Sequence, residues 1–254
     1  MNKKKIAITI ILIISAIFNT AGASEKIKDR CAFFNSNAAK GDIVVSIPYG
    51  EKDNEITRVS HDKIKNSLQA GYPAFTADKS GNIYVNDDAK QKVLKFNADD
   101  KNVSKLSSAK DVSNIAVEDD TAIHEGKTFA VLMESDELSV VNAADTKEIE
   151  LKYPVNSKDG TMRVSDARLI GIDASGNFYM HIVVLKNDGT IVENDIMKFK
   201  KGGILSRKMR VPYYIIGDSA TIFTGKYILL KENVVLSHKI DDEKHFKIIS
   251  FEIK

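Results

Sequence analysis

Apolar and polar residues alternate along two similar stretches of this chain, and a short turn interrupts each of them. The first is "AFTADKSGNIYVND", residues 74–87, and the second is "LIGIDASGNFYM", residues 169–180. Alternation with a period of two predicts β-strands, and the intervening aspartate and glycine supply a tight reversal. Each stretch therefore predicts a β-hairpin, with Gly81 and Gly176 at turn positions that favour a positive φ.

A further apolar strand follows each hairpin, "KVLKF" at 92–96 and "DIMKF" at 195–199. The gap before the second of these strands is eight residues longer than the gap before the first. The extra length contains Asp188 and Gly189 between apolar runs, which is a hairpin signal. We therefore expect an extended hairpin from Lys186 to Asn194 in this part of the chain.

The polar residues Asn187, Asp188 and Glu193 of that hairpin also allow a calcium-loop interpretation. The alternating ligand spacing of an EF-hand is missing there. The turn interpretation explains the same residues without a metal.

Two weaker copies of the pattern occupy residues 114–143 and 219–253, with Gly126 and Gly225 in the turn position. The four turn glycines are 45, 50 and 49 residues apart, and a period of about 40 to 50 residues is typical of propeller blades. The sequence predicts an all-β fold, a β-propeller with four countable blades of four antiparallel strands each.

The last unit has apolar strands at "ATIF", "KYILL" and "FKIISFEI" and is then one strand short. The N-terminal stretch "DIVVSIP", residues 42–48, is a strand without a partner nearby in the sequence. Because a propeller protects the edges of its blades, we expect this strand to complete the C-terminal blade.

One aromatic residue recurs close behind the turn glycine of each unit. Aromatic side chains at a repeated strand position favour packing between blades over ligand binding. The four are Tyr84, Phe129, Tyr179 and Tyr227.

The pattern D-x-S-G-N-[IF]-Y, followed by [VI]-[LM]-K-F, resembles the blades of NHL-like and TolB-like β-propellers, in particular exported bacterial proteins of the six-bladed superfamily. The resemblance covers residues 42–254 and implies the propeller fold. It implies no single activity, because these folds serve enzymes, scaffolds and ligand binders. This chain departs from the family in having four countable blades instead of six.

The N-terminus has the pattern of a secretory signal. Three lysines at 3–5 precede the apolar run Ile6 to Phe18, and Ala21-Gly22-Ala23 follows it as an A-x-A cleavage site. The apolar run is shorter than the roughly 20 residues that span a membrane. We expect a signal peptide at 1–23, an N-terminal tail at 24–41 and a single propeller domain at 42–254. The protein would be exported, periplasmic or extracellular, with no integral membrane segment after cleavage.

Composition argues against nucleic-acid binding and against dithiol chemistry. The chain has 37 basic and 35 acidic residues, and without the three signal lysines the balance is 34 against 35. A near-neutral chain does not favour nucleic acid as a partner. Cys31 is the only cysteine, so no intrachain disulfide can form, and we interpret Cys31 as a thiol of the tail.

The five histidines are dispersed and give one metal hypothesis. His238 and His245 flank "KIDDEK", so Asp241 and Asp242 lie between them. Two convergent imidazoles with a third ligand would hold a metal ion, and the alternative is a solvated loop tip. His181, inside "FYMHIVV", is interpreted as a strand residue bonded to a neighbour. The other two are His61 and His124.

Pairs of adjacent aspartates stand at strand ends or in turns, where a ring of carboxylates would hold a cation or act as general acids. The alternative is the ordinary chemistry of soluble turns. The pairs are Asp87/Asp88, Asp99/Asp100 and Asp119/Asp120.

No G-x-S-x-G or H-E-x-x-H motif occurs in the chain, so the usual sequence signals of a serine hydrolase and of a zinc protease are missing. The sequence assigns no catalytic residue, cofactor or metal ligand and favours a binding or interaction module with a protein or small-ligand partner on a propeller face. The alternatives are an exported, metal-dependent, lactonase-like propeller hydrolase and a structural component of an envelope assembly.

Overall fold

The structure is a computed structural model and describes ten segments of the chain. They are residues 34–57, 74–78, 80–90, 92–97, 103–106, 121–134, 137–216, 221–223, 226–239 and 244–254. The expectations on the signal peptide, Cys31, His61 and Gly225 lie outside these residues, as do the pairs Asp99/Asp100, Asp119/Asp120 and Asp241/Asp242. No helix among the described residues has both the length and the apolar character needed to cross a bilayer.

The fold is nearly all β. In chain order the strands of the described residues are β1 (Asp42–Pro48), β2 (Ala74–Ala77), β3 (Asn82–Asp87), β4 (Lys92–Asn97), β5 (Val103–Leu106), β6 (Thr121–His124), β7 (Lys127–Met133), β8 (Leu138–Asn142), β9 (Glu148–Leu151), β10 (Met162–Ile172), β11 (Phe178–Lys186), β12 (Ile191–Phe199), β13 (Leu205–Arg210), β14 (Tyr214–Ile216), β15 (Thr221–Phe223), β16 (Tyr227–Lys231), β17 (Val234–Lys239) and β18 (His245–Glu252). A short 3-10 turn, Asp88–Lys90, follows β3.

Four antiparallel four-stranded sheets form a four-bladed β-propeller, which confirms the predicted fold. Blade 1 is β2-β3-β4-β5, blade 2 is β6-β7-β8-β9, blade 3 is β10-β11-β12-β13 and blade 4 is β16-β17-β18-β1. The first strands of neighbouring blades contact one another, β6 with β10, β10 with β16 and β16 with β2. The first strand of each blade therefore lies nearest the propeller axis.

The N-terminal strand closes the C-terminal blade as predicted. β1 pairs antiparallel with β18, from Asp42 opposite Ser250 to Pro48 opposite His245. Val45 and Ile47 of β1 are buried, so this strand contributes apolar surface as well as backbone hydrogen bonds. Joining the two ends of the chain in one sheet closes the ring.

Residues 34–40, which the sequence analysis assigned to the tail, also contact blade 3. The Phe34 ring is buried against Tyr213, with ring centroids 4.6 Å apart. Asn35 donates to the Tyr213 carbonyl at 2.8 Å and accepts from the Tyr213 amide at 3.2 Å. The Ala39 amide donates to the Arg210 carbonyl at 2.8 Å. This segment therefore ties the approach to β1 to the outer strand of blade 3.

The repeated motif forms a hairpin because its aspartate satisfies the turn. In blade 1, Asp78 Oδ1 accepts the amides of Ser80 and Asn82, each at 2.9 Å. Asp78 Oδ2 accepts Asn82 Nδ2 at 2.7 Å and the Tyr84 hydroxyl at 2.8 Å. Gly81 has a φ of +83°, the left-handed conformation that three-residue hairpin loops require.

Blade 3 repeats this network residue for residue. Asp173 accepts the amides of Ser175 at 2.9 Å and Asn177 at 3.0 Å, Asn177 Nδ2 at 2.9 Å and the Tyr179 hydroxyl at 3.2 Å. Gly176 has a φ of +80°. The residues of the motif therefore form a turn. Their recurrence indicates a repeated fold unit and does not indicate an activity.

Three apolar clusters fill the spaces between blades. The cluster between blades 2 and 3 includes Leu138, Phe178 and Met180, the cluster between blades 3 and 4 includes Tyr179, Tyr227 and Phe251, and the cluster between blades 4 and 1 includes Ile47, Ile83 and Phe246. Because side chains alternate along a strand, β11 faces blade 2 with its even-numbered residues and blade 4 with its odd-numbered ones.

The predicted assignment of segments to the strands of blade 4 was wrong. β16 is the first strand of the blade and turns into β17 at Glu232 and Asn233, whereas "TIF" lies in β15, which pairs with β14 in a separate ribbon. Tyr227 therefore stands in a first strand, while Tyr84, Phe129 and Tyr179 stand in second strands. Asn233, with a φ of +58°, adopts the conformation that glycine adopts in the other turns.

Candidate functional site

Two adjacent turns project from one face of blade 3, and we call residues 157–161 and 186–190 the blade-3 ridge. The turn between second and third strands lies on the propeller face opposite the Asp173 turn, because consecutive strands are antiparallel. In the ridge, the Asn187 amide donates to the Thr161 carbonyl at 3.1 Å, and Asn187 Nδ2 donates to the Gly160 carbonyl at 3.2 Å. The two turns therefore form one hydrogen-bonded surface.

Each ridge turn contains the sequence Asp-Gly-Thr, and the aspartate orders it. Asp159 Oδ1 accepts the Ser157 hydroxyl at 2.5 Å, the Thr161 hydroxyl at 2.8 Å and the Thr161 amide at 3.1 Å. These bonds from Ser157 and Thr161 lower the pKa of Asp159 to about 2. Asp188 Oδ1 likewise accepts the Thr190 amide at 2.9 Å. The ridge is thus an exposed but internally bonded polar surface.

Longer strands carry the ridge away from the body of the propeller. β11 and β12 have nine residues each, whereas β3 and β4 of blade 1 have six each. Gly189, with a φ of +80°, closes the tight turn between the long strands. The predicted extended hairpin is confirmed, and its added length lies mainly in paired strand.

A cluster of charged side chains lies behind the ridge on the face of β12 and β13. Glu193 Oε1 accepts Lys208 Nζ at 2.6 Å, and Glu193 Oε2 accepts the Tyr153 hydroxyl at 2.5 Å. Burial raises the pKa of Glu193, but the bonds from Lys208 and Tyr153 outweigh it and the net pKa is lowered. Burial beside Glu193 raises the pKa of Tyr153. Glu193 therefore remains a carboxylate, and each of its oxygens accepts a hydrogen bond.

Asp195 is the buried member of this cluster. Its side chain has no exposed surface, Lys208 Nζ lies 3.0 Å from Oδ2, and Arg210 Nε lies 3.5 Å from Oδ1. Oδ2 receives no hydrogen bond of good geometry within the described part of the chain, so the contact with Lys208 is an ion pair. The charges of two acids on β12 and two bases on β13 cancel in this cluster. The cluster therefore links the two outer strands of blade 3 through ion pairs.

The structure does not assemble the calcium loop that the sequence allowed as an alternative. Glu193 is held by Lys208 and Tyr153, while Asn187 and Asp188 stand in the ridge turn. Across the segments that the structure describes, no group of three or more His, Cys, Asp or Glu side chains has the geometry of a metal site.

His238 and His245 do not converge, and the solvated loop tip proposed for them was wrong for His238. In β18, Phe246 shares the face of His238, with ring centroids 4.6 Å apart, and His245 lies on the opposite face. His238 is buried, and desolvation lowers its pKa to about 3. The pair is therefore no metal site.

His181 is a strand residue bonded to a neighbour, as predicted. Its Nε2 lies 2.6 Å from Asn194 Oδ1, and its ring packs on Tyr227 with centroids 4.6 Å apart. Burial lowers the pKa of His181 to about 4 despite the opposing effect of Asn194. His124, the other dispersed histidine that the structure describes, has Nε2 at 3.9 Å from the Glu125 carboxylate.

In the pair Asp87/Asp88, Asp87 has a structural role. It is buried, and its Oδ2 accepts the Thr57 amide at 2.9 Å and the Thr57 hydroxyl at 3.2 Å. Near the axis, the described acid Asp166 is paired with Arg168 at 2.9 Å. Sequence reasoning missed the 157–161 half of the ridge, although the repeated Asp-Gly-Thr at 159–161 and 188–190 was a usable signal.

Comparisons with known proteins give distant structural likenesses. No protein-family model matches the chain, and no curated protein matches it. A luciferin-regenerating enzyme matches with a TM-score of 0.25 and 14% identity over 71% of this chain and 62% of that one, less than two thirds of that enzyme's length.

Two further likenesses are to bacterial proteins. The calcium-binding protein regucalcin from Agrobacterium tumefaciens gives a TM-score of 0.21 and 10% identity over 72% of this chain and 90% of its own. Virginiamycin B lyase from Staphylococcus aureus gives a TM-score of 0.22 and 10% identity over 85% of this chain and 74% of the lyase. The propeller assignment of the present chain rests on its own four sheets.

Proposed function

We propose that this chain is an exported β-propeller of the NHL-like and TolB-like kind that binds a protein partner through the blade-3 ridge. The observation that carries the proposal is the bonding of Asn187 to Gly160 and Thr161, which fixes two exposed turns as one surface. A surface ordered before binding loses less conformational entropy when a partner is bound. Loops positioned by a rigid scaffold are where binding residues concentrate.

The ridge is fitted for a polar interface. Lys158, Asp159, Lys186 and Asp188 are exposed and supply both signs of charge. Charges of this kind at an interface contribute specificity and association rate more than affinity. We therefore expect the partner to present a complementary polar surface and the association to weaken with added salt.

The experiment reverses ridge charges while leaving the turns intact. The double variant Lys158→Glu/Lys186→Glu is compared with Lys200→Glu/Lys201→Glu, which makes the same charge change at exposed residues between β12 and β13 on the opposite face. Wild type and both variants are first shown to have equal melting temperatures. Each is then immobilised and used to capture partners from a cell-envelope extract. The proposal predicts that the ridge variant alone loses a captured species, and equal capture by all three contradicts it.

Shortening the hairpin gives a second, stronger test. Replacing Leu185–Val192 with Asn-Gly keeps the Val184–Glu193 pair and joins it by a two-residue turn of a favoured type. Folding should persist while capture is lost. A chelator-sensitive hydrolytic activity that survives this shortening would instead support the metal-dependent hydrolase.

Export is part of the proposal and is tested separately. The lysines at 3–5, the apolar run and the Ala21-Gly22-Ala23 site predict that the exported protein begins near Ser24. Mass spectrometry of protein recovered from the periplasm or medium of an expressing bacterium measures this directly. Residues 1–23 intact on exported protein would contradict a cleaved signal.

A further inference from the structure

The loop that follows the closing strand β1 turns its backbone oxygens toward two lysines of blade 1. Lys92 Nζ donates to the carbonyls of Asp53 at 3.0 Å and Lys52 at 3.3 Å, and also to the carbonyl of Glu55. Lys90 Nζ donates to the carbonyl of Gly50. Lys92 is 9% exposed, so its ammonium group lies inside the loop with three backbone oxygens around it.

The loop is shaped by its own bonds as well as by the lysines. The Gly50 amide donates to the Ile56 carbonyl and the Ile56 amide to the Pro48 carbonyl, both at 3.0 Å. Glu55 Oε2 accepts the Lys52 amide at 2.8 Å. A Cβ added at Gly50 would stand 2.1 Å from Glu55 Oε2, so the Glu55 carboxylate packs directly against Gly50.

Backbone carbonyls converging on one positive charge are the donor set with which proteins bind small cations. An ammonium group has three N–H donors and no acceptor, and the Lys92 ammonium has three carbonyl oxygens of the loop within hydrogen-bond distance. We propose that residues 50–56 form a cation site that the chain fills with its own Lys92 ammonium. When Lys92 is shortened, the vacated site would accept a primary alkylammonium ion from solution.

The internal cation also has a position that matters for the ring. β1 is the outer strand of blade 4, and Lys92 belongs to β4 of blade 1. Asp87 of β3 holds Thr57 at the far end of the same loop. Lys92 therefore joins the segment that follows the closing strand to the first blade, and its ammonium group supplies the positive charge at this joint.

Chemical rescue tests the site. Lys92→Ala leaves space for a propylammonium ion, which replaces the deleted atoms, and it removes the ammonium partner of three backbone carbonyls of the loop. We expect the melting temperature to fall by about 5 °C or more and propylammonium chloride to restore at least half of that loss. Tetramethylammonium chloride at equal ionic strength has no N–H donor and should restore none.

Two further variants control for other causes. Lys92→Met keeps an apolar side chain in the space, so it should lower the melting temperature without rescue by propylammonium. Lys95 lies on β4 with Lys92 but faces the Tyr84 ring of β3. Lys95→Ala should therefore show no ion-specific rescue. Amide hydrogen exchange of residues 50–56 should rise in Lys92→Ala and fall again with propylammonium.

The outcomes separate cleanly. Equal recovery with propylammonium and tetramethylammonium, or a Lys92→Ala protein as stable as wild type, overturns the cation site. If Lys92→Ala does not fold in buffer, refolding in propylammonium chloride is the same test, and recovery supports the site while failure overturns it. None of these results depends on the ridge or on a binding partner.

Discussion

Blades 1 and 3 contain the same turn motif, yet they use it differently. In blade 1 the Tyr84 hydroxyl bonds to Asp78 of its own turn, and Lys95 lies 5.7 Å from the ring centroid. In blade 3 the Tyr179 hydroxyl shares its single proton between Asp173 Oδ2 at 3.2 Å and Asn233 Oδ1 at 3.1 Å, and it accepts the Asn233 amide at 3.0 Å. Among the residues that the structure describes, the motif is local in blade 1 and reaches the next blade in blade 3.

The matched lysines show the same difference. Lys198 lies 5.2 Å from the Tyr179 ring centroid and also contacts Glu232 at 3.2 Å and Asn233 at 3.1 Å. Burial lowers the pKa of Lys198, but hydrogen bonds with Tyr179, Glu232 and Asp173 outweigh it and raise the net pKa. A turn motif thus becomes a link between blades when the neighbouring turn offers a polar partner.

Exchanging the residues opposite the two tyrosines should have the largest effect. Gly171 pairs with Tyr179, and Thr76 pairs with Tyr84. A Cβ at Gly171 would stand 2.4 Å from Leu229 Cβ of blade 4, so Gly171→Thr should cost about 3 kcal/mol of unfolding free energy through overpacking. The reciprocal Thr76→Gly should cost about 1 kcal/mol or less. Urea denaturation measures both, and equal costs would contradict the closer packing assigned to blade 3.

The turn glycines should respond alike in the two blades. Gly81→Val and Gly176→Val each force a β-branched residue into a positive φ, for a cost of about 1 to 3 kcal/mol. The space around each is open or in ordinary contact, so backbone strain is the cause. Gly202→Val is the matched control, because Gly202 has open space and no positive φ. Wild-type stability in both turn variants would refute the shared turn geometry.

Sequence reasoning succeeded where the turn chemistry is explicit. The Asp and Gly of blades 1 and 3 located their hairpins, and "DIVVSIP" was correctly joined to the last blade. Blade 4 was misread because its turn has no glycine, and Asn233 adopts the left-handed conformation instead. The misleading Gly225 drew the assignment away from "VVLSHK", which forms β17.

The ridge was half predicted for a related reason. The Asp188-Gly189 pair lies between long apolar strands and so signals a hairpin by itself. Residues 157–161 are joined to it by tertiary bonds through Asn187, which no local pattern reports. The burial of His238 was also missed, because the charged residues that follow it in sequence predict a solvated loop, whereas its strand partner places it against Phe246.

The second strands differ again at the residue two positions beyond the tyrosine, which is Asn86 in blade 1 and His181 in blade 3. The folded pKa of His181, about 4, is below the usual value of 6.5, so the unfolded chain binds more protons between these values. Stability should therefore fall as pH falls from about 6.5 to about 4. His181→Asn should reduce this slope by about 1 kcal/mol per pH unit at most. Chemical denaturation across that range checks it, and an unchanged slope would contradict a neutral buried His181.

Tyr179 couples blade 3 to blade 4, whereas Tyr84 acts within blade 1, and a pair of double-mutant cycles measures this difference. Tyr179→Phe is combined with Asn233→Gly, which preserves the positive φ, and Tyr84→Phe with Asn233→Gly is the matched cycle. Unfolding free energies should give a coupling of about 0.5 to 1 kcal/mol for Tyr179 and none for Tyr84. Additivity in the Tyr179 cycle, or equal coupling in both, would contradict the claim.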